Sequence, residues 1–187
     1  MGQGARRLAL TSATLWETIA LEASAESALW AAALRSEEER EELPIFSALA
    51  DEQFALGVES IYEGYLLHYG RSRLFAPADR DTSILLGDYL YAHGLVRVAA
   101  QGDVGVVAEL AELLALCAHL RAEGRPGDGE AWAATIALLG RVEGRLADAR
   151  AVLTEEGDRD TLLRLAVSAA GEEPVARALA LHRTHLS

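Results

Sequence analysis

The amino-acid sequence predicts an all-α fold, a bundle of seven to eight helices in a single domain covering 1–187. Hydrophobic residues make up 51% of the chain, and much of that fraction is Ala and Leu, the two leading helix formers. The residues that favour β-strands (Val, Ile, Phe and Tyr) are scattered and do not form the alternating pattern of a strand. The chain has only 4 prolines, none of them inside a long apolar segment. The length is enough to bury a sizeable core.

The first predicted helix begins at a polar cap and ends before an acidic stretch. Residues 1–12 are expected to form a loose tail, in which Thr11 or Ser12 caps a helix that runs to about Arg35. The glutamate-rich stretch 37–42 comes next, and we interpret it as a solvated helix start or a connector. An acidic metal cluster is the alternative, but adjacent glutamates on a helix point in different directions.

A helix with a clean apolar face is predicted between Pro44 and Gly70. Proline suits the first turn of a helix, and glycine commonly comes after the last one. Apolar residues and one histidine recur in a 4-3-4-3 pattern, which is typical of a helix with one buried face. They are Phe54, Val58, Ile61, Tyr65 and His68.

Two longer helices are predicted after a connector over 71–80. A cap at Asp81 or Thr82 begins the first, which runs to about Ala100. Asp103 begins the second, over 104–122. Because this second segment is apolar on most sides, we expect it to be the central, buried helix of the bundle.

The C-terminal third is predicted to form a glycine-rich turn and then a series of shorter helices. The turn covers 124–129 and contains Pro126, and Gly140 and Gly144 are expected to interrupt the helical segment after it. Basic residues gather at the end of the last helix, as the helix dipole favours. The predicted helices cover 130–139, 145–153, 158–170 and 174–185.

Charge and cysteine content exclude several classes of protein. The formal net charge of -12 opposes binding to nucleic-acid phosphates and to anionic lipid. No uncharged apolar run is long enough for a membrane span. Cys117 is the only cysteine, so the sequence offers no disulfide pair and suits a reducing cytoplasm, where we expect the protein to lie. Its apolar neighbours predict that Cys117 is a core residue.

The sequence offers no self-sufficient catalytic site, metal site or cofactor site. All 17 basic residues are arginine, so no role that requires a lysine amine, such as a Schiff base or a P-loop lysine, is possible. The standard nucleotide-binding and hydrolase motifs are also missing. His182 and His185 lie three apart on a helix expected to fray, without an acidic partner nearby in sequence. His93 and His119 fall in apolar helices, where we expect core histidines. We therefore expect no catalytic residue, no metal and no cofactor.

One region resembles a known family. The helix that carries Leu67-His68, the loop after it and the phrase Leu86-Gly87-Asp88-Tyr89-Leu90 are similar to the trans-prenyl diphosphate synthases, also called polyprenyl synthetases. In that family a helix ends in Leu-Ile-His-Asp-Asp-x-x-Asp, a basic loop comes next, and the following helix opens with a phrase close to Leu-Ala-Gly-Asp-Tyr-Leu. The likeness covers about 45–140 and is most specific over 84–90. It implies an isoprenoid-synthase-like bundle, truncated relative to a full synthase.

The departures from the family pattern concern its metal chemistry. Two Asp-rich motifs in that family hold magnesium ions, which need oxygen ligands and help the diphosphate leave. At the place of the first motif this chain has Tyr69, Gly70, Arg71, Ser72 and Arg73, and the second motif has no match. The resemblance therefore implies a non-catalytic member, similar to the accessory subunit of two-component synthases. Its expected partner is a prenyl diphosphate synthase subunit, in a homodimer or heterodimer.

Six residues of this region are candidates for ligand binding. Two loop arginines could bind a diphosphate or could be ordinary solvated side chains, and four tyrosines could line an isoprenoid cavity or fill a packed core. They are Arg71, Arg73, Tyr62, Tyr65, Tyr69 and Tyr89. The cavity interpretation leads to the alternative function of a stand-alone carrier of an apolar or isoprenoid ligand. Asp88 is interpreted as structural, serving helix packing and capping.

Overall fold

The computed structural model describes residues 14–141 and 144–186, and these residues form an all-α bundle without β-strands. The predicted tail over 1–12 lies outside the described residues. The described residues contain nine α-helices, of which α2 is a short one of 6 residues. The eight longer helices agree with the predicted seven to eight. The helices are α1 (Leu15–Glu26), α2 (Ala28–Ala33), α3 (Ala55–Tyr69), α4 (Arg80–Ala99), α5 (Val104–Ala122), α6 (Asp128–Ala137), α7 (Arg145–Glu156), α8 (Asp160–Ala170) and α9 (Glu172–Leu186).

The centre of the bundle is formed by α3 and α6. Every residue of α6 except Glu130 is buried, and so is α3 from Gly57 to Leu67. The expectation that 104–122 is the central helix is wrong, because α5 buries only one of its faces. Its opposite side is exposed and carries Val104 and several alanines, together with Glu112 and His119. Cys117 lies on the buried face and is completely buried, which confirms that it is a core residue.

Helices α3 and α4 pack against each other through glycines spaced seven residues apart. Gly57 and Gly64 of α3 face Gly94 and Gly87 of α4. A Cβ atom at Gly64 would lie 2.7 Å from the carbonyl oxygen of Gly87, and one at Gly94 would lie 2.8 Å from that of Gly57. The backbones therefore approach more closely than any larger residue allows.

The N-terminal helices form a separate layer on α3 and α4. The capping residue is Thr14, which makes a reciprocal capping box with Glu17; the predicted caps lie outside the described residues. The predicted single helix is interrupted at Ser27, whose side chain caps α2. A second, smaller apolar cluster joins this layer to the bundle. It consists of Trp16, Ile19, Ala23, Ala33, Leu67, Leu74, Phe75, Leu86 and Leu90.

Two predicted helix starts are wrong. Pro44 does not begin a helix; short 3-10 turns at Ser47–Leu49 and Glu52–Phe54 precede α3. The cap of α4 is Asp79 rather than Asp81 or Thr82, since its carboxylate accepts a 2.7 Å hydrogen bond from the amide of Thr82. The bounds 104–122 are confirmed, with Asp103 as the cap. No helix among the described residues is long and apolar enough to cross a membrane.

Candidate functional site

Arg73, in the loop after α3, is completely buried between two glutamates of that helix. Its Nε donates to Glu63 at 2.9 Å, and its Nη1 donates to Glu59 at 2.7 Å. The two glutamates are four residues apart, so they project from the same face of α3. Burial opposes the charged guanidinium, but the two carboxylates outweigh it and raise the pKa of Arg73. The positive charge is therefore held inside the protein.

The same two carboxylates also anchor the chain on either side of α3. Glu59 accepts hydrogen bonds from the amides of Ile45 and Ser47, both at 3.1 Å. Glu63 accepts from the amide of Leu74 at 2.9 Å. These bonds hold the segment after Pro44 in a non-helical path, because its amides bind a side chain instead of a helix carbonyl. The loop that carries Arg73 is therefore a structural junction between α3 and the segment after Pro44.

Arg71 lies at the edge of this junction and binds the last helix. Its half-exposed side chain pairs with Glu41, and its amide donates to the carbonyl of His185 at 2.8 Å. The His185 Nδ1 lies 3.1 Å from the carbonyl of Arg71, and the His185 side chain is 2% exposed. Burial is the main reason that the pKa of His185 is lowered. The expected fraying of this helix end is wrong, because α9 docks on the C-terminal end of α3.

A second polar cluster surrounds Asp128, the first residue of α6. The Tyr65 hydroxyl and the Arg121 guanidinium both donate to Asp128 Oδ2, and Arg121 Nε also donates to the Tyr65 hydroxyl at 3.0 Å. The His182 Nε2 lies 3.4 Å from Asp128 Oδ2, and its Nδ1 lies 2.9 Å from the Tyr62 hydroxyl. These five side chains join α3, α5, α6 and α9 at one end of the bundle.

Asp128 is held as a carboxylate by its surroundings. Burial alone would favour the neutral acid, but His182, Tyr65 and Arg121 outweigh it and hold the pKa of Asp128 well below its ordinary value of 3.8. Burial is also the main cause that raises the pKa of the Tyr65 phenol. The phenol therefore remains a protonated donor to a fixed internal anion, which orients the side chains around it.

The predicted tyrosines do not line one pocket. Tyr62 and Tyr65 are completely buried and pack against Trp132, with ring centroids 5.1 and 5.5 Å away. Tyr69 is half-buried beside them. Tyr89 belongs to the smaller N-terminal cluster, where its ring centroid lies 4.1 Å from that of Trp30. Aromatic side chains thus fill the interior between α3 and α6.

The two predicted arginines are in different environments. Arg73 is committed to the internal ion pairs, whereas Arg71 lines a shallow surface depression of about 320 Å³ together with Gly70 and Ser72. Ligand binding by the six predicted residues stays a prediction.

The Gly-Asp-Tyr phrase has a packing role in α4. Leu86 and Leu90 are buried, and a Cβ atom at Gly87 would lie 2.7 Å from the ring of His68. Asp88 is largely exposed and pairs with His68 Nε2 at 3.1 Å across the two helices. Asp88 does not cap a helix, because it lies inside α4, whose N-cap is Asp79; its contact is the surface pair with His68.

The other predicted histidines are not core residues. His119 is exposed and pairs with Glu123, and His93 is only half-buried. The buried histidines are His182 and His185, because α9 packs its C-terminal turns against α3 and α6. Within 14–141 and 144–186, no group of three or more His, Cys, Asp or Glu residues is placed to hold a metal ion.

A surface groove of about 500 Å³ opens beside Asp128. Its floor is the first turn of α6, and four arginines from α5, from two loops and from α9 surround it. The charged and titratable side chains that line it are Arg121, Arg125, Arg159, Arg183, Asp128, Glu130 and His182. Three of the four arginines are ion-paired: Arg121 with Asp128, Arg125 with Glu123 and Arg159 with Glu130.

A comparison with protein-family models, with curated proteins and with solved structures found no match to this chain. The relationship to the prenyl synthases therefore rests on the residues themselves and stays a prediction.

Sequence reasoning missed the buried polar residues of both clusters. Glu59 and Glu63 stand four apart in an otherwise apolar helix, a signal that they share a buried partner. From the sequence alone, Asp128 is predicted only to belong to the turn over 124–129, and nothing indicates that it is buried. Its partners Arg121 and His182 come from α5 and α9, so no local spacing connects them.

Proposed function

We propose that this protein is a non-catalytic relative of the prenyl diphosphate synthases that acts in the cytoplasm as the accessory subunit of a catalytic synthase. The observation that carries the proposal is the loop after α3. Where the family has metal-binding carboxylates, this loop places Arg73 in a buried ion pair and joins Arg71 to α9. Gly87 of the Gly-Asp-Tyr phrase packs closely against His68 and Gly64 of α3. These features support a retained scaffold with a different use of the family's catalytic loop.

The proposed partner-binding surface is the outer face of α5. Val104 is 81% exposed and Val96 is 68% exposed, at the end where the two helices are joined. Exposed alanines continue the pattern along α5 with 4-3-4-3 spacing. We call this surface the outer α5 face; it consists of Val104, Ala108, Ala111, Ala115 and Ala118.

The composition of the outer α5 face favours a helical partner. Solvent-facing positions of a surface helix are normally charged or polar. A seam with alternating three- and four-residue spacing is instead the pattern by which helices pack along one another. Small side chains allow a second helix to approach closely. The proposed occupant is the catalytic subunit, and a second copy of this chain is the competing occupant.

The geometry favours this function over the stand-alone carrier. A carrier that uses the bundle interior needs space between the helices. The interior around the predicted tyrosines is filled by aromatic rings, including Trp132 and Phe46, whose centroids lie 5.5 Å apart.

The proposal is tested by co-expression with a prenyl diphosphate synthase from the same genome that carries both Asp-rich motifs. We expect the two chains to co-purify and the complex to make a product of different length from the synthase alone. Ala111→Glu with Ala115→Glu should abolish co-purification, because two charges would be buried in the contact.

Ala180→Glu is the matched control, since Ala180 is an exposed alanine on α9, away from the outer α5 face. It should leave co-purification unchanged. The proposal is contradicted if the synthase neither binds this protein nor changes its product length. Equal loss in the control and the α5 variant would contradict the assigned surface.

A further inference from the structure

A second surface groove, of about 590 Å³, lies between α8 and α9. The two helices are joined by the single residue Gly171, whose φ of 91° is in the region that favours glycine. Every residue that lines this groove belongs to one of the two helices. We call it the α8–α9 groove; its apolar lining consists of Leu163, Val167, Val175, Ala176 and Leu179.

The apolar lining forms two rows, one on each helix. Leu163 and Val167 are four residues apart on α8, so they share one face of that helix, and they are only half-buried. Val175 and Leu179 are likewise four apart on α9 and are 1% and 8% exposed. Ala176 lies at the surface beside them and is too small to cover the α8 row. Apolar surface of α8 is therefore left open to solvent along the groove.

The charged side chains of the α8–α9 groove are separated along its length. Glu172 directly follows Gly171, so it lies at the end where the helices are joined. Arg164 and Arg183 also line the groove, and at 1.5 Å per residue they lie about 10 Å and about 18 Å from Gly171 along their own helices. The closed end of the groove is therefore negative, and the open end is positive.

Arg183 is the charge in this groove that lacks a partner. It is exposed and makes no hydrogen bond or ion pair with another described residue. Arg164, in contrast, donates from Nη2 to the hydroxyl of Thr161 at 2.8 Å. Arg183 also lines the groove beside Asp128, where the other three arginines are ion-paired. One guanidinium is thus available at the open end of an apolar groove.

We propose that the α8–α9 groove binds a single-chain amphiphile with a carboxylate head, of the fatty-acid class. The hydrocarbon chain lies along the two apolar rows, and the carboxylate accepts two parallel hydrogen bonds from the guanidinium of Arg183. The volume of about 590 Å³ is within the range of small-molecule sites, roughly 300–1,000 Å³.

The charges of the protein favour a head group with a single negative charge. Only one arginine of the α8–α9 groove is free of contacts, Glu172 lines the same groove, and the chain has a net charge of -12. A phosphate or diphosphate head would meet more repulsion than one guanidinium offsets. The groove includes no residue of α5, so the inference does not depend on the proposed partner.

The test is a titration of the full-length protein with dodecanoate below its micelle concentration, monitored by amide NMR. We expect saturable 1:1 binding, with shifts concentrated in 163–168 and 175–183. Dodecanol has the same chain without the charge and should bind about tenfold more weakly, as expected for the loss of a charge-assisted hydrogen bond. Arg183→Gln should weaken dodecanoate binding by a similar factor and leave dodecanol binding unchanged.

Ala176→Phe tests the position of the chain, because the added ring occupies the groove. It should weaken the binding of both dodecanoate and dodecanol at least tenfold. Ala180→Phe is its matched control, since Ala180 is an exposed alanine on α9 that does not line the groove. Arg177→Gln is the control for Arg183→Gln, because Arg177 is an exposed arginine of α9 outside both grooves. Both controls should bind as the wild type does.

Absence of saturable dodecanoate binding would overturn the inference. So would equal weakening by Ala176→Phe and Ala180→Phe, which would place the chain elsewhere. Equal affinities of the wild type for dodecanoate and dodecanol would contradict the role of Arg183. Tighter binding of dodecyl phosphate than of dodecanoate would contradict the carboxylate head.

Discussion

Arg73 shows how a single charged residue can be required for folding without contacting solvent. Its guanidinium and the carboxylates of Glu59 and Glu63 are all completely buried. Desolvating three charges is costly, and the cost is offset only while all partners are present. The same carboxylates also bind backbone amides before and after α3. The ion pair therefore secures the path of two loops, and we expect its main contribution to be the specificity of the fold.

Arg73→Ala should destabilise the protein by about 3–5 kcal/mol, because it leaves two buried carboxylates without their cation. Arg71→Ala, two residues earlier, should cost at most about 1 kcal/mol, since the Arg71 side chain is 50% exposed. Urea unfolding monitored by circular dichroism gives both values. If Arg73→Ala does not fold, Arg73→Lys keeps the charge and should be intermediate. Similar costs for the two alanine variants would contradict the structural role of Arg73.

Asp128 gives a prediction about pH. Its pKa is lowered in the folded state, because His182, Tyr65 and Arg121 outweigh the effect of burial. Such a group stabilises the fold above its unfolded pKa, near 3.8, and that contribution is lost as pH falls toward the folded pKa. The stability difference between wild type and Asp128→Asn should therefore shrink as the pH is lowered from 6 to about 3. Chemical unfolding at several pH values measures it. A difference that stays constant over this range would show that the carboxylate is not responsible.

At the scale of elements, the pairing of α3 with α4 depends on glycines whose helix propensity is poor. An isolated Gly→Ala change in a helix is normally stabilising by about 1 kcal/mol. Here the added methyl group would meet a carbonyl oxygen or a ring of the other helix. Because both helices are long and their neighbours are buried, neither can move away without opening the core.

Gly64→Ala should therefore destabilise the protein by about 1–3 kcal/mol, the range for overpacking a core. The new Cβ would lie 2.7 Å from the carbonyl oxygen of Gly87 and 2.8 Å from the ring of Tyr91. Gly144→Ala is the control, since nothing lies within 4 Å of its Cβ position and its φ of -57° suits alanine. Thermal unfolding of both variants checks the prediction. A stabilised Gly64→Ala variant would mean that the helices separate easily.

The helix boundaries show which features a sequence can predict. The start of α5 is set by Gly102 and Asp103, which act through local backbone geometry and capping. The helix start predicted at Pro44 is wrong because the amides after it bind Glu59, a residue in the next helix. The fraying predicted for the end of α9 is wrong because His185 docks on the loop at Arg71, far away in sequence. Local signals are sufficient where neighbours in sequence decide the structure, and insufficient where long-range contacts do.

The groove beside Asp128 was beyond sequence reasoning for the same reason. Its arginines come from separate parts of the chain, and each alone resembles an ordinary solvated side chain. Arg71 and Arg73, in contrast, are close in sequence, yet the fold places Arg73 inside the protein and leaves Arg71 half-exposed.

At the scale of the whole molecule, the outer α5 face and the net charge have opposing effects on association. The face favours burial against another helix, since its exposed residues are all apolar. Two copies of a chain with a net charge of -12 repel each other, and salt screens that repulsion. A less acidic partner, as proposed above for the catalytic subunit, would reduce this repulsion.

This balance predicts how the isolated protein responds to salt. Self-association should be weak at about 20 mM salt and several times stronger at about 500 mM, where charges interact only over a few ångströms. Sedimentation equilibrium at the two salt concentrations measures the monomer–dimer dissociation constant. Ala111→Glu with Ala115→Glu should remove the salt-promoted dimer, whereas Ala180→Glu should keep it. A dimer that weakens with salt would indicate that ion pairs, rather than the outer α5 face, hold the two copies together.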